Sequence, residues 1–330
     1  MQIGIGIYGV GIGNTLVGSA SPPVPPAPKV GVPGHYLFPN DGTSSIDTML
    51  DSVSSGLQGF VKRWDWKELE TSKDVYDFSE VQSDLTALRD VDMQLAVMIQ
   101  LRSFKDSEHF LPQYLIDSGY EMHCDENTGY APKRWEPEVT ARLGLLHKAM
   151  AEAVDSYTNF EGVTTQETSQ GFTSAQLYSN SYTPELYRDA LISINADAST
   201  YFNQSKVFWF FNFISDNNGY TANVASAAIA LGNVIIGGPD VLQDNTGVQT
   251  HVSPRYIAFK DVLDTFGSFQ NVSYAESDAS RGGQLYSMQE QFDYAVNSWQ
   301  IDYAFWNRRT TGVQQWTPDA TDIWSANPSF

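Results

Sequence analysis

KRWEPEVTARLGLLHKAMAEAVDSYTNFEGVTTQETS, Lys133 to Ser169, is one copy of a repeating unit, a helix, a turn, then an apolar strand, and in this copy the strand ends on an acid. Val139, Leu143, Leu146, Met150 and Val154 recur at helical spacing within Glu138 to Ser156, which gives that stretch one apolar face. FEGVTTQE, Phe160 to Glu167, follows as a strand. Working outward, the same alternation recurs. KVGVPGHYLF (Lys29 to Phe38) reads as a first strand, GFVKRW (Gly59 to Trp64) as a second and QLAVMIQL (Gln94 to Leu101) as a third. Beyond the fourth, Phe160 to Glu167, come KVFWFFNF (Lys206 to Phe213), NVIIGG (Asn233 to Gly238), NVSYAE (Asn271 to Glu276) and IDYAFW (Ile301 to Trp306). Between them Phe78, Val81, Leu85 and Leu88 mark a helix over Phe78 to Asp90, and Thr183-Pro184-Glu185 and Ser253-Pro254 each pair a cap residue with Pro in the first turn.

Strands alternating with helices imply parallel strands joined by crossovers, and eight of them predict an α/β fold, a (β/α)8 TIM barrel. The competing architecture is an open doubly wound sheet. That sheet carries a Gly-rich phosphate turn between its first strand and helix, and GIGIYGVGIG near the start of the chain is followed by no such unit. The 330 residues suit one barrel domain over 29–330, preceded by an extension over 1–28. That extension joins an apolar, Gly-rich segment to a stiff Pro-rich linker, SPPVPPAPK. It lacks the basic start of a secretory signal. It reads as an attachment peptide or a disordered end.

Composition excludes several functions. Acidic residues outnumber basic ones 39 to 19, so there is no basic face for phosphate neutralisation, and no nucleic-acid partner is expected. No run is long enough for a membrane span. The single cysteine, Cys124, permits no internal disulfide, and with only 5 His no metal cluster or cofactor site is expected. There is no G-x-S-x-G turn for a serine nucleophile and no H-E-x-x-H helix for zinc.

Barrel enzymes carry their reacting groups at the C-terminal ends of the strands. Glu167 ends the fourth predicted strand and Glu276 the seventh, with Asp278 the alternative to Glu276. The chain between Glu167 and Glu276 has the length of three βα units of roughly 30–40 residues each. Two carboxylates facing each other across a barrel mouth can split a glycosidic bond: one protonates the leaving oxygen, and the other attacks the anomeric carbon or activates water. His35, Arg63, Trp66, Arg102, Gln166, Asn212, Asp240, His251 and Trp306 lie at or near strand ends and are candidates to bind sugar. Trp64, Trp135 and Trp209 are further stacking candidates, although Phe208, Phe210 and Phe211 around Trp209 favour packing against a helix. The long stretch from Arg102 to Pro137 should wall the cleft.

WDWKELETSKDVYDFSEVQSDL resembles the strand-two segment of the retaining barrel glycosidases of clan A, through Trp66, Leu69, Glu70, Tyr76, Asp77, Phe78 and Ser79. The Pro and Gly of that pattern are replaced here by Thr71 and by Lys73 or Asp74. Lys133 to Ser169 resembles the part of such enzymes that runs from helix three to strand four. The resemblance implies Glu167 as acid/base, Glu276 as nucleophile, Arg63 as support for the nucleophile and Trp306 as the floor of the −1 sugar site. Where the clan has Asn before its acid/base, this chain has Gln166, which keeps the amide donor but is one methylene longer.

The expected activity is therefore endo-acting, retaining hydrolysis of a polysaccharide, in an extracellular or virion-associated setting. Glycine-rich openings like residues 1–28 resemble those of some phage tail and virion proteins, as in a phage depolymerase. A non-catalytic glycan-binding or structural virion module is the first rival, and a polysaccharide lyase the second. Arg63, Arg102, Arg134, Arg281, Arg308 and Arg309, if they converge, would favour a uronic or sulfated sugar.

Overall fold

The computed structural model describes residues 27–39, 45–51, 53–126, 128–165, 167–210, 218–238, 265–269, 288–308 and 318–328. Twelve strands are found among them: β1 (Gly34–Pro39), β2 (Leu57–Asp65), β3 (Glu70–Ser72), β4 (Val75–Tyr76), β5 (Gln94–Gln100), β6 (Glu121–His123), β7 (Tyr130–Pro132), β8 (Phe160–Thr165), β9 (Lys206–Phe210), β10 (Val234–Gly238), β11 (Thr265–Phe269) and β12 (Tyr303–Arg308). Eight of these pair in the ring order β1-β12-β11-β10-β9-β8-β5-β2, and every pairing in the ring is parallel. The helices are α1 (Ile46–Leu50), α2 (Trp66–Leu69), α3 (Ser79–Arg89), α4 (Gln113–Asp117), α5 (Pro137–Val154), α6 (Ser174–Tyr178), α7 (Pro184–Tyr201), α8 (Asn218–Ile229), α9 (Met288–Tyr294) and α10 (Pro318–Ala326). The crossover between β10 and β11, with Ser253-Pro254, lies outside the described residues.

Two apolar layers make the fold. Tyr36, Phe38, Val61, Ala96, Met98, Phe208, Phe210, Ile235, Tyr303 and Phe305 fill the inside of the ring. Strand neighbours of opposite parity, such as Leu37, Phe60, Val97, Ile99, Val163, Trp209 and Trp306, meet the apolar faces of the helices outside it. Both strand faces are therefore buried, as expected for parallel strands under helices. Gly162 is required by packing: a Cβ there would stand 2.2 Å from the Lys206 carbonyl oxygen of the neighbouring strand.

Two strands differ from the sequence reading. The first begins at Gly34, not Lys29. Residues 29–33 instead cross the N-terminal end of the barrel. There Lys29 Nζ donates to the carbonyls of Tyr157 and Phe160 and to Ser205 Oγ, and Val32 N–H donates to Glu161 Oε1 at 2.9 Å. Pro33, which lacks an N–H, cannot serve as a ladder donor just before β1. The seventh strand in the ring is Thr265–Phe269, earlier than Asn271 to Glu276. Two short β-prone runs stand almost side by side in this part of the sequence, and periodicity over five residues does not choose between them.

His147 on α5 lies in the outer layer, fully buried and edge-on to Phe202 at 6.2 Å, and neither ring nitrogen has a hydrogen-bond partner among the described residues. Burial pushes its pKa down to about 4. Its folded value lies below the ordinary 6.5, so the unfolded chain binds the extra proton between pH 6.5 and 4. The stability is complete above 6.5 and is lost as pH falls through that window. His147→Met should therefore reduce the loss of unfolding free energy between pH 7 and pH 5 by about 2 kcal/mol. Urea unfolding at the two pH values checks this, and equal losses in variant and wild type would exclude it.

Candidate active site

The C-terminal ends of the barrel strands form one mouth. On β2 the inward parity set by Val61 continues through Arg63 to Asp65. The Arg63 guanidinium lies 4.4 Å from the ring centroid of Phe38, itself an inward residue of β1. Arg63 is thus at the mouth, where the sequence puts it. Asp65, the last residue of β2, was not singled out. Its carboxyl is raised to about 7, first by burial and then by the Glu68 carboxylate, while Lys67 Nζ at 3.6 Å opposes the shift. It holds a proton near neutrality at a barrel mouth, and the sequence signal for it was only an acid ending the second strand.

Glu167 follows β8 and is half-buried. The residues after it are fixed. Thr168, Gln170 and Phe172 are buried. Arg134, which follows β7, donates from Nη2 to the carbonyls of Glu167 (2.9 Å) and Thr168 (3.2 Å). Tyr187 of α7 donates its hydroxyl to the same Thr168 carbonyl. Gln170 Nε2 donates to the Pro132 carbonyl at 3.2 Å, and the Cys124 thiol donates to the Gln170 carbonyl at 3.3 Å. Burial pushes that thiol up to about 11, so Cys124 packs rather than reacts. The stretch from Arg102 to Pro137 supplies this scaffold: α4 and the antiparallel β6–β7 hairpin both lie within it.

Several expected sugar ligands are elsewhere. His35 and Trp306 are fully buried in the outer layer, where Trp306 Nε1–H donates to His35 Nδ1 at 3.0 Å. His35 Nε2 contacts the Asn327 carbonyl at 2.7 Å, and Phe292 and Trp324 pack around the pair. With one nitrogen accepting and the other donating, His35 is neutral, and burial pushes its pKa down to about 4. Trp306 therefore does not floor a sugar site. Register decides this: Trp306 is aligned with Leu37, on the helix-facing side, whereas Phe305 points inward.

Trp66 is also fully buried, its Nε1–H donating to Glu70 Oε2 at 2.9 Å. Trp64, Trp135 and Trp209 are each 3% exposed or less, so none of the four offers a face for stacking. Arg102 is buried as well. Its guanidinium lies 4.5 Å from the Phe104 ring centroid and against Gly171, where a Cβ would stand 2.3 Å from Nη2. Gly171 has φ +70°, so a side chain is opposed there by both backbone and space. Arg102 and Arg134 thus support the loop from beneath. Gln166, Asn212, Asp240, His251, Glu276, Asp278, Arg281 and Arg309 lie outside the described residues.

No family model matches the sequence, and no curated protein matches it. Solved structures do match in shape. Endo-glycoceramidase II from Rhodococcus sp., in a cellobiose-like isofagomine complex, aligns with a TM-score of 0.59 at 9% identity over 91% of this chain and 81% of that one. The same protein as its lactosyl-enzyme intermediate aligns at 0.58, with 8% identity over 91% and 81%. A cold-adapted β-galactosidase from Rahnella sp. aligns at 0.52, with 10% identity over 88% of this chain and 53% of that chain. The fold is the TIM-barrel-like α/β fold that these glycosidases use.

Proposed function

We propose that the chain is an endo-acting, retaining glycoside hydrolase on a complete (β/α)8 framework, with Glu167 as acid/base and Glu276 as nucleophile. One observation carries the reading: a half-buried glutamate directly after the fourth barrel strand, on a segment clamped from three sides. A general acid must be held within hydrogen-bond reach of the leaving oxygen, and an immobile backbone supplies that. A structural neighbour is described as a lactosyl-enzyme intermediate, and double displacement is proposed here by analogy.

The substrate class is a neutral or weakly charged polysaccharide, since the described arginines beneath the loop are buried and the chain is strongly acidic. An extracellular or virion-associated setting goes with attachment through residues 1–28. Residues 29–33 lie across the N-terminal end of the barrel, so a tether there would leave the opposite mouth facing outward.

The test is a screen of purified polysaccharides for new reducing ends, alongside methylumbelliferyl β-lactoside and β-cellobioside. NMR then reads the first anomer released. Retained configuration is expected. An unsaturated product would make the chain a lyase, and tight glycan binding with no turnover would make it a binding module.

A further inference from the structure

We propose that Phe104 is a sugar-stacking platform at the rim of the barrel mouth, an outer subsite that holds one pyranose ring of the glycan chain. This inference rests on the glycoside hydrolase reading and adds to it a place where the chain is gripped. The tryptophans expected to stack on sugar are buried, so aromatic surface at the mouth comes from other side chains. Phe104 follows β5, on the stretch between Arg102 and Pro137, and is 49% exposed. Tyr178 of α6 is the other strongly exposed aromatic among the described residues, and Tyr182 meets it edge-on at 6.1 Å. An exposed ring is no evidence of a ligand by itself, since single apolar side chains stand on most protein surfaces. The mounting of Phe104 sets it apart.

Its ring has a fixed backing. The Arg102 guanidinium lies 4.5 Å from the ring centroid, and Arg102 itself is buried. The far side of that guanidinium packs against Gly171, shortly after Glu167, where a Cβ would stand 2.3 Å from Nη2. Phe104 therefore covers Arg102 and is joined through it to the segment that carries Glu167. The backbone is fixed as well. Thr128 Oγ1–H donates to the Phe104 carbonyl at 2.7 Å. Ser103 donates its N–H to the Tyr130 carbonyl at 2.9 Å, and its Oγ accepts from the Tyr130 N–H at 2.8 Å. Gly129, at φ +93°, lets the hairpin come this close, since a Cβ there would stand 2.3 Å from the Ser103 carbonyl oxygen. The loop after β5 and the β6–β7 hairpin are thus one piece, and it presents an aromatic ring to solvent.

A pyranose carries C–H bonds on its faces and hydroxyls around its edge. An aromatic face receives the C–H bonds while the hydroxyls stay hydrated. The contact needs no charge, which suits the neutral or weakly charged polysaccharide proposed above. A ring held in place beforehand loses little rotamer freedom when the sugar arrives. An outer subsite binds ground state and transition state alike, so its loss appears in KM and leaves kcat.

Phe104→Ala, Phe104→Leu and Phe104→Trp are compared on the polysaccharide that the reducing-end screen selects. The same substitutions in a Glu167→Gln background are titrated by calorimetry with the hexasaccharide of that polymer. Phe104→Ala should raise KM and Kd by about 5- to 10-fold, with kcat within about 2-fold of wild type. Phe104→Leu is apolar but not flat and should recover little, whereas Phe104→Trp should match or exceed wild-type affinity. Leu145→Ala, which removes an exposed apolar side chain from α5, should change neither constant. Unchanged Kd in Phe104→Ala overturns the proposal, as does a Leu variant that binds as well as wild type. If Phe104→Ala fails to fold, Phe104→Leu keeps Arg102 covered and decides alone. Weaker binding of an octyl glycoside with unchanged binding of the hexasaccharide would make the ring an acyl-chain contact and overturn the sugar assignment. Full turnover in Glu167→Gln removes the acid/base reading and leaves the affinity comparison to decide on Phe104. An inactive Glu167→Gln beside unchanged Kd in the Phe104 variants removes the platform alone. A screen in which no polysaccharide is cleaved or bound removes both.

Discussion

Glu167→Gln should lower turnover of an unactivated glycoside by about 10²-fold or more, with folding stability close to wild type. The substitution keeps size and shape and, in the proposed mechanism, removes only the proton donated to the leaving oxygen. The clamp on the following residues is made through main-chain carbonyls of Glu167 and Thr168, so it survives the change. In double displacement the two steps respond differently. A dinitrophenyl glycoside leaves without help, so its first step should persist and a burst of dinitrophenol should precede a slow second step. Azide needs no general base and should restore turnover, yielding a glycosyl azide of retained configuration. Loss without azide rescue would place Glu167 in binding. Full activity would remove it from the chemistry.

The framework was legible from sequence because apolar runs of strand length alternate with helical periodicity. β2, β5 and β8 lie where the runs predict them, α3 and α5 lie on their apolar stripes, and α7 starts at its Thr183-Pro184 cap. The side on which each strand residue sits was not legible. In a parallel barrel both faces are apolar, so GHYLFP and YAFWNR give no sign of which alternate residues meet helices. That is why Trp306 and His35 read as ligands when they hold each other in the outer layer. Asp65 was missed for a related reason: its importance comes from desolvation and from Glu68, both set by how the rim folds over it. The place of Glu167 just after a barrel strand was legible because it needs only chain position. The Arg134 and Tyr187 clamp needed tertiary structure, since both partners come from other elements.

Arg142→Met should cost about 3–5 kcal/mol of unfolding free energy. The reason lies in the segment that resembles the clan A pattern. Its acid, Glu70, is completely buried and takes no part in the mouth. It accepts from Trp66 Nε1–H at 2.9 Å, from the Tyr114 hydroxyl at 3.0 Å and from Asp74 N–H at 3.1 Å, and it pairs with Arg142 of α5. Arg142 also donates from Nε to Tyr114 at 2.8 Å and from Nη1 to Asp74 at 2.6 Å. One guanidinium thus fastens the β3–β4 hairpin and α4 to α5.

Methionine fills the volume but leaves a carboxylate in the core without its cation. The remaining donors reduce the penalty and do not neutralise the charge. Arg142→Met combined with Glu70→Gln should recover most of the loss, because a neutral amide oxygen still accepts from Trp66 and Tyr114. Urea unfolding of both variants checks this. A single-variant loss below about 1 kcal/mol, or a double variant no better than the single, would mean the pair is not what fastens this rim. α4 belongs to the same long stretch that carries Arg134, so loosening it should reach the mouth. Arg142→Met is therefore also expected to lower kcat at temperatures well below its unfolding midpoint.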